Sequence, residues 1–380
     1  MADRFGFIST YPPTQCGLAT FTASLLEALT SVGVSDARVA RLLDAPQPPG
    51  GGVVVADIVI GDPPGSVRCT DRLNECDVVI VQHEFGVYGG PDGADVLPLL
   101  ATLTVPTIVV LHTVLTAPTA HQREVLEAVV AAASAVVTMS VTARDRLAAG
   151  YRVEMGKVSI IAHGAPEPSC SPAGMAAVFR NGQPTVLTWG LLGPGKGIEW
   201  GIEAMARLQD LRPGPKYVIA GQTHPKVAQR EGEAYRDRLS RLIHRHGLAG
   251  SVSLDGHYRD TSSLAVLVAS ADVVLLPYDS TDQVTSGVLI EAVAAGKPVV
   301  ATRFPHAVEL LSTGAGVVVP HQDPAAIAEA LRLVLTRRDT AAAMARAAAA
   351  SAPALRWSVV AEQYRELATR LIAEAAAVAA

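Results

Sequence analysis

Between Pro277 and Thr302 the chain reads PYDSTDQVTSGVLIEAVAAGKPVVAT, and three of its residues have the chemistry of a site for an anion and a diol. Ser286 suits the cap of a helix, Gly287 leaves the first amides of that helix open to an anion, and Glu291 follows about one turn in. An ionised glutamate only accepts hydrogen bonds, so it suits two vicinal hydroxyls such as those of a ribose. Phosphate at the helix start and ribose on the carboxylate together make a nucleotide site. The plain alternative is a solvated glutamate on a helix face. A second segment, TWGLLGPGKGIEWGIEAMARL from Thr188, sets Gly190, Gly193, Gly195 and Gly197 around one cation, Lys196. The glycines allow close backbone approach to a diphosphate, and the lysine adds a point charge. It is not a P-loop, because GxxxxGK followed by Ser or Thr is missing. A third segment, STYPPTQCGLATFTASLLEAL from Ser9, places Gly17 before a helix with Phe21, Leu25 and Leu29 on one face. That is either a further phosphate-approach point or an ordinary turn.

Two histidine positions also fall where a strand ends. His112 follows a buried strand and reads either as a ligand contact or as a hydrogen-bonded core histidine. His83-Glu84 follows another strand, where it suits acceptor hydroxyls or a structural turn. It is no metalloprotease motif, since position 87 is Val. No GxSxG elbow and no tight Asp-x-Asp occurs, so neither a serine hydrolase nor a divalent metal between carboxylates is expected. His244 and His246 lie on a charged stretch and read as solvated.

Such loops need a scaffold of strands. Short β-branched runs recur at 5–9, 53–60, 78–82, 107–111, 135–138 and 158–162, then at 186–189, 217–220, 252–254, 273–276, 299–301 and 317–319. Their continuous apolar character is that of strands buried on both faces, and helical stretches separate them. The alternation predicts α/β doubly wound sheets, whose ligands bind at the carboxyl ends of the strands. A Pro-, Ser- and Gly-rich stretch divides the chain, which gives domains at 1–168 and 185–355, a link at 169–184, and a final amphipathic helix at 356–380. If the two domains face each other, the ligand lies in the cleft between them. The Ala-rich run at 341–352 favours helix.

Composition excludes several partner classes. With 31 Lys+Arg against 36 Asp+Glu and no basic tract, the net charge of −5 argues against nucleic acid. The longest apolar stretch, near 128–137, is far below the roughly 18–20 residues a bilayer span needs. The N-terminus has no secretory hydrophobic region, and Cys16, Cys69, Cys76 and Cys170 follow no zinc spacing, so free thiols in a reducing cytoplasm are expected.

The combination of segments resembles a family 4 retaining glycosyltransferase of the GT-B fold, with mannosyltransferase-like features. The likeness runs along nearly the whole chain: the Pro-rich start with Gly17, VVLHTV around His112, VSIIAHGAPE, the Lys196 loop, YVIAGQTHP from Tyr217, SGVLIEAVAAGKPVVAT and WSVVAEQYREL. QHEFGVYGG from Gln82 adds to it. The resemblance implies two Rossmann-like domains facing each other across a cleft, with the last helix crossing back to the N-terminal domain. It implies transfer of a hexose, without metal or other cofactor, from a nucleotide diphosphate sugar to a hydroxyl of a saccharide or small glycoside. GDP-mannose is favoured over UDP- or ADP-glucose. It assigns the donor nucleotide and diphosphate to Gly17, Gly190, Lys196, Gly221, Ser286, Gly287, Val288, Leu289 and Glu291. Chemistry goes to Lys196, His112 and Gln283, and the acceptor side to His83 and Glu84. Two positions depart from the family's pattern. Gln283 stands where a first glutamate is usual, eight residues before Glu291, and Leu191 stands where an arginine usually precedes the loop lysine by five. Rival readings are an epimerase of sugar nucleotides and a sugar-nucleotide-binding relative without turnover.

Overall fold

The computed structural model describes residues 3–48, 50–62, 69–167, 182–257 and 259–379. Most of the expected link, at 169–181, lies outside them. The chain forms two compact units, Met1–Gly164 with Trp357–Ala380, and Ala165–Arg356.

In the first unit β1 (Arg4–Ser9) leads through α1 (Gly17–Ser31) to β2 (Asp36–Leu43) and β3 (Val54–Val59). Then come β4 (Val78–His83), α2 (Val96–Thr102), β5 (Thr107–Leu111), α3 (Ala120–Ala132), β6 (Ala135–Thr138), α4 (Val141–Gly150) and β7 (Val158–Ile160). The strands are all parallel, in the order β3-β2-β1-β4-β5-β6-β7. Every residue of β4 and β5 is buried, as continuous Val/Ile runs require when helices cover both faces of a sheet. Burying each such side chain contributes roughly 1.5–3 kcal/mol.

The second unit runs β8 (Thr185–Trp189), α5 (Ile198–Ala206), β9 (Lys216–Ala220), α6 (Pro225–Glu231), α7 (Ala234–Arg245) and β10 (Val252–Asp255). It continues with α8 (Thr261–Ser270), β11 (Val273–Leu276), α9 (Gly287–Ala294), β12 (Val299–Thr302), α10 (Pro305–Leu311), β13 (Gly316–Val319), α11 (Pro324–Thr336) and α12 (Arg338–Ser351). Its strand order is β10-β9-β8-β11-β12-β13, again parallel. The chain then returns to the first unit as α13 (Trp357–Ala379), whose Trp357, Tyr364, Leu367 and Leu371 join the core that Phe21, Leu25 and Leu29 of α1 build.

Strand β2 is absent from the sequence reading. Its DARVARLL carries two arginines, which fit neither a continuous apolar run nor strict alternation. Arg41 is nevertheless buried, because it stands directly opposite Asp57 of β3 and its Nε lies 2.8 Å from that carboxylate. Only the neighbouring strand supplies the partner that makes a buried guanidinium tolerable.

Both strand orders reverse once, between β1 and β4 and between β8 and β11. Loops leaving adjacent strands in opposite directions open a crevice at such a point. The segments singled out above leave these four strands and β5 beside them.

Candidate functional site

At the reversal of the second unit, three loops meet through glycine. Gly197, at the start of α5, has φ +60, and a Cβ there would lie 1.8 Å from the Pro277 carbonyl oxygen after β11. Gly221, just past β9, has φ +141, and its Cβ would lie 1.9 Å from the Gly190 oxygen. Both positions combine a backbone that L side chains rarely adopt with a neighbouring main chain in the way. The Asp279 amide donates to the Gly195 carbonyl at 2.9 Å, and Trp200 Nε1 donates to Asp279 Oδ1 at 2.8 Å, which ties the β8 and β11 loops together.

These ties position Lys196. Its Nζ sits 4.5 Å from the centroid of the Tyr278 ring, which itself stacks on Phe304. A cation over an aromatic face is held without its charge being neutralised, so it stays available to an anion. The pKa of His224, beyond β9, is lowered by burial and then by Lys226 and Lys196.

Helix α9 starts as its sequence suggests. Ser286 Oγ accepts from the Leu289 amide at 3.3 Å, so the cap is made. Gly287 and Val288 are the first two residues of the helix, where amides have no intrahelical acceptor. Val288 also borders the β8 loop: a Cβ on Gly190 would be 3.7 Å from its Cγ2. The Ser286 amide donates to Nδ1 of His306, a buried residue of α10, at 2.8 Å. Gln283 belongs to the same knot. Its Nε2 donates to the Thr285 carbonyl at 3.0 Å, and its own carbonyl accepts from the His306 amide at 3.3 Å.

One turn further on, Glu291 Oε2 accepts from Trp189 Nε1 at 3.1 Å. Burial lifts its pKa to about 7, with the Trp189 bond pulling the other way. The sequence reading takes this carboxyl as ionised; within the fold, burial favours its neutral form.

In the first unit, Gly17 opens α1, where Cys16 Sγ caps the Ala19 amide at 3.4 Å. Gly17 is exposed, and a Cβ on it would meet nothing within 4 Å, so packing does not demand glycine there. Phe21 forms edge contacts with His112 and His163 at 5.0 Å and with Trp357 at 5.1 Å. His112 Nε2 is 2.6 Å from Gln82 Oε1, and its amide donates to the His83 carbonyl at 3.1 Å. Burial depresses His83 and His163 to about 4 and His112 to about 3, so all three rings are neutral at pH 7. Glu84 accepts from the Thr113 hydroxyl and from the Phe85 amide, while burial raises its pKa.

His83 requires a correction. Its ring is fully buried, neither nitrogen has a partner among the described residues, and its edge meets Phe85 at 5.3 Å. A ring sealed from solvent packs; it does not offer itself to acceptor hydroxyls. Of the pair, only Glu84 reaches the surface.

The fold thus gathers Gly190, Lys196, Gly221, Gln283, Ser286, Gly287, Val288, Leu289 and Glu291 around the reversal of the second unit, and Gly17, His112 and Glu84 around that of the first. Trp189, Tyr278 and His306 escaped the sequence reading. Each acts through a contact distant in sequence, 102 residues in the case of Trp189 and Glu291.

Residues 176–351 match the family model described as glycosyl transferases group 1. That match falls within the second unit, Ala165–Arg356. A curated relative, the D-inositol 3-phosphate glycosyltransferase of Corynebacterium urealyticum, is 37% identical over 110 residues, which are 29% of this chain and 26% of the relative. The chain is thus matched to about a quarter of that relative's length. Among solved structures, the sucrose-phosphate synthase of Thermosynechococcus elongatus superposes with a TM-score of 0.78 at 20% identity, covering 98% of this chain and 100% of that one. HepE of Anabaena, solved with UDP and glucose, gives 0.75 at 18% identity, with 97% and 99% covered. At such identities the likeness establishes the fold, which is GT-B, with two Rossmann-like units.

Proposed function

We propose that the chain is a retaining glycosyltransferase that moves a hexose from a nucleotide diphosphate sugar to a hydroxyl of a saccharide or small glycoside. The observation that carries this reading is the placing of Lys196, the first amides of α9 and Glu291 at one strand reversal, within the residues that match the group 1 model. In this reading the diphosphate lies against Lys196 and the amides of Gly287 and Val288, and the ribose hydroxyls donate to Glu291. A bond forms between the acceptor oxygen and the anomeric carbon on the face that the diphosphate leaves. The bond from that carbon to the diphosphate breaks, and a phosphate oxygen takes the acceptor proton, so no protein nucleophile is needed. Preorganised charge on the leaving group is then the main catalytic contribution. The reading takes the transfer as metal-independent. Glu84 and His112 are the acceptor-side and sugar contacts of this proposal. Mannose is the favoured hexose, with glucose next.

Calorimetry with GDP, UDP, ADP and their hexose conjugates tests the reading. One base should bind selectively, and Glu291→Ala should weaken that binding at least tenfold and nearly abolish transfer. Absence of binding across the panel would overturn the donor site.

A further inference from the structure

Glu291 is reached from a direction the sequence does not suggest. Trp189 is the last residue of β8, and side chains alternate along a strand. Val186 lies in the core that α5, α7 and α11 cover, and Thr188 bonds to the Tyr217 hydroxyl of that same face at 2.9 Å. Trp189 therefore points to the other face, the one against which α9 packs. There its indole N–H meets Glu291 Oε2, and Oε1 has no partner among the described residues. The elements packed against α9 carry ionisable groups: Lys196 in the β8 loop, Arg303 and His306 after β12, and Arg338, Asp339 and Arg346 on α12. None of them bonds to Glu291 or acts on its ionisation. The indole is the one polar group among the described residues that does both.

We propose that Trp189 is the positioning residue of Glu291, holding Oε2 through its indole N–H so that Oε1 is presented to a vicinal diol. The proposal rests on the reading of Glu291 as the ribose-binding group and adds the residue that tunes it. A hydrogen bond to a carboxylate favours the charged form, whereas burial favours the neutral one. Burial is the larger of the two and lifts the pKa to about 7, so ligand affinity through Glu291 weakens as pH falls through neutrality. Removing the indole N–H moves that loss to higher pH, by about one unit for a bond to a charged group.

Two measurements on the full chain separate this inference from the ribose reading. The protein has three tryptophans, so its 15N-labelled indole spectrum is small, and the Trp189 signal is the one that Trp189→Phe removes. In the ligand-free protein that signal should shift with pH with a midpoint near 7, and the shift should vanish in Glu291→Gln. A Trp189 resonance indifferent to pH between 5.5 and 8.5 (about 1.5 units either side of the midpoint) would overturn the positioning role. Separately, affinity for the nucleoside diphosphate that binds best is followed across the same range. The midpoint should rise by about one unit in Trp189→Phe, which keeps the aromatic bulk, and the profile should flatten in Glu291→Gln. An unmoved midpoint in Trp189→Phe would also overturn the inference. Should the resonance titrate while no nucleoside diphosphate binds, the ribose reading fails and the presentation of Oε1 to a diol falls with it; the indole's hold on Glu291 stands.

Discussion

Lys196 illustrates how much a single side chain depends on what lies beneath it. Its ammonium rests on the face of Tyr278 and makes no ion pair among the described residues, so nothing in the free protein cancels its charge. No arginine backs it, because Leu191 stands where the resembled family usually has one. Lys196→Ala should therefore lower turnover by about a hundredfold, the usual scale for removing one group that stabilises developing charge. Binding of the free nucleoside, which has no phosphates, should be unchanged. Steady-state rates with parallel calorimetry on the nucleoside would check both, and unchanged turnover would remove Lys196 from the diphosphate. Gln283 is the other departure, and within the fold it ties its own loop to Thr285 and His306. Its residue type was visible in the sequence; its partners were not.

Among the elements, the connecting loops depend on glycine to very different degrees. Gly221→Ala would force a Cβ into the Gly190 carbonyl at a backbone angle unsuited to alanine, and should cost about 2–4 kcal/mol of stability. Gly17→Ala should do the reverse. Its Cβ meets open space on the first turn of α1, so stability should rise by up to about 1 kcal/mol. Urea unfolding of both variants tests the contrast, and equal losses would show that the glycine at α1 is structural after all. If phosphate does approach Gly17, the same variant should lose affinity without losing stability. Local signals served well where the physics is local. The Ser286 cap, the apolar face of α1 and the helices α12 and α13 all lie where composition and spacing put them. Strand β2 did not, since Arg41 becomes a strand residue only once Asp57 stands across from it.

For the whole molecule, the first unit is closed by a helix that the chain reaches last. Gly164 has no room for a Cβ, which would lie 2.2 Å from the Trp357 ring, so the departure and the return of the chain fit each other at that point. The buried histidines of this unit also set its response to acid. His83 has a pKa near 4 when folded against about 6.5 when unfolded, so the unfolded chain binds more protons between those values. The stability it protects is complete above pH 6.5 and is lost as pH falls toward 4. Between pH 7 and pH 5 the loss is about 2 kcal/mol for this one ring. Urea unfolding at the two pH values should show a difference smaller by that amount in His83→Leu; an identical difference would mean that the ring is protonated within the fold. By itself, the sequence determined the strand–helix alternation, the doubly wound class and most of the loops that carry charge and glycine, because periodicity and capping act over a few residues. Tertiary structure alone decided that the His83 ring is sealed, that Trp189 holds Glu291 and that burial raises the Glu291 pKa. Burial and hydrogen bonding between residues far apart in the chain exist only after the sheet has brought their strands together.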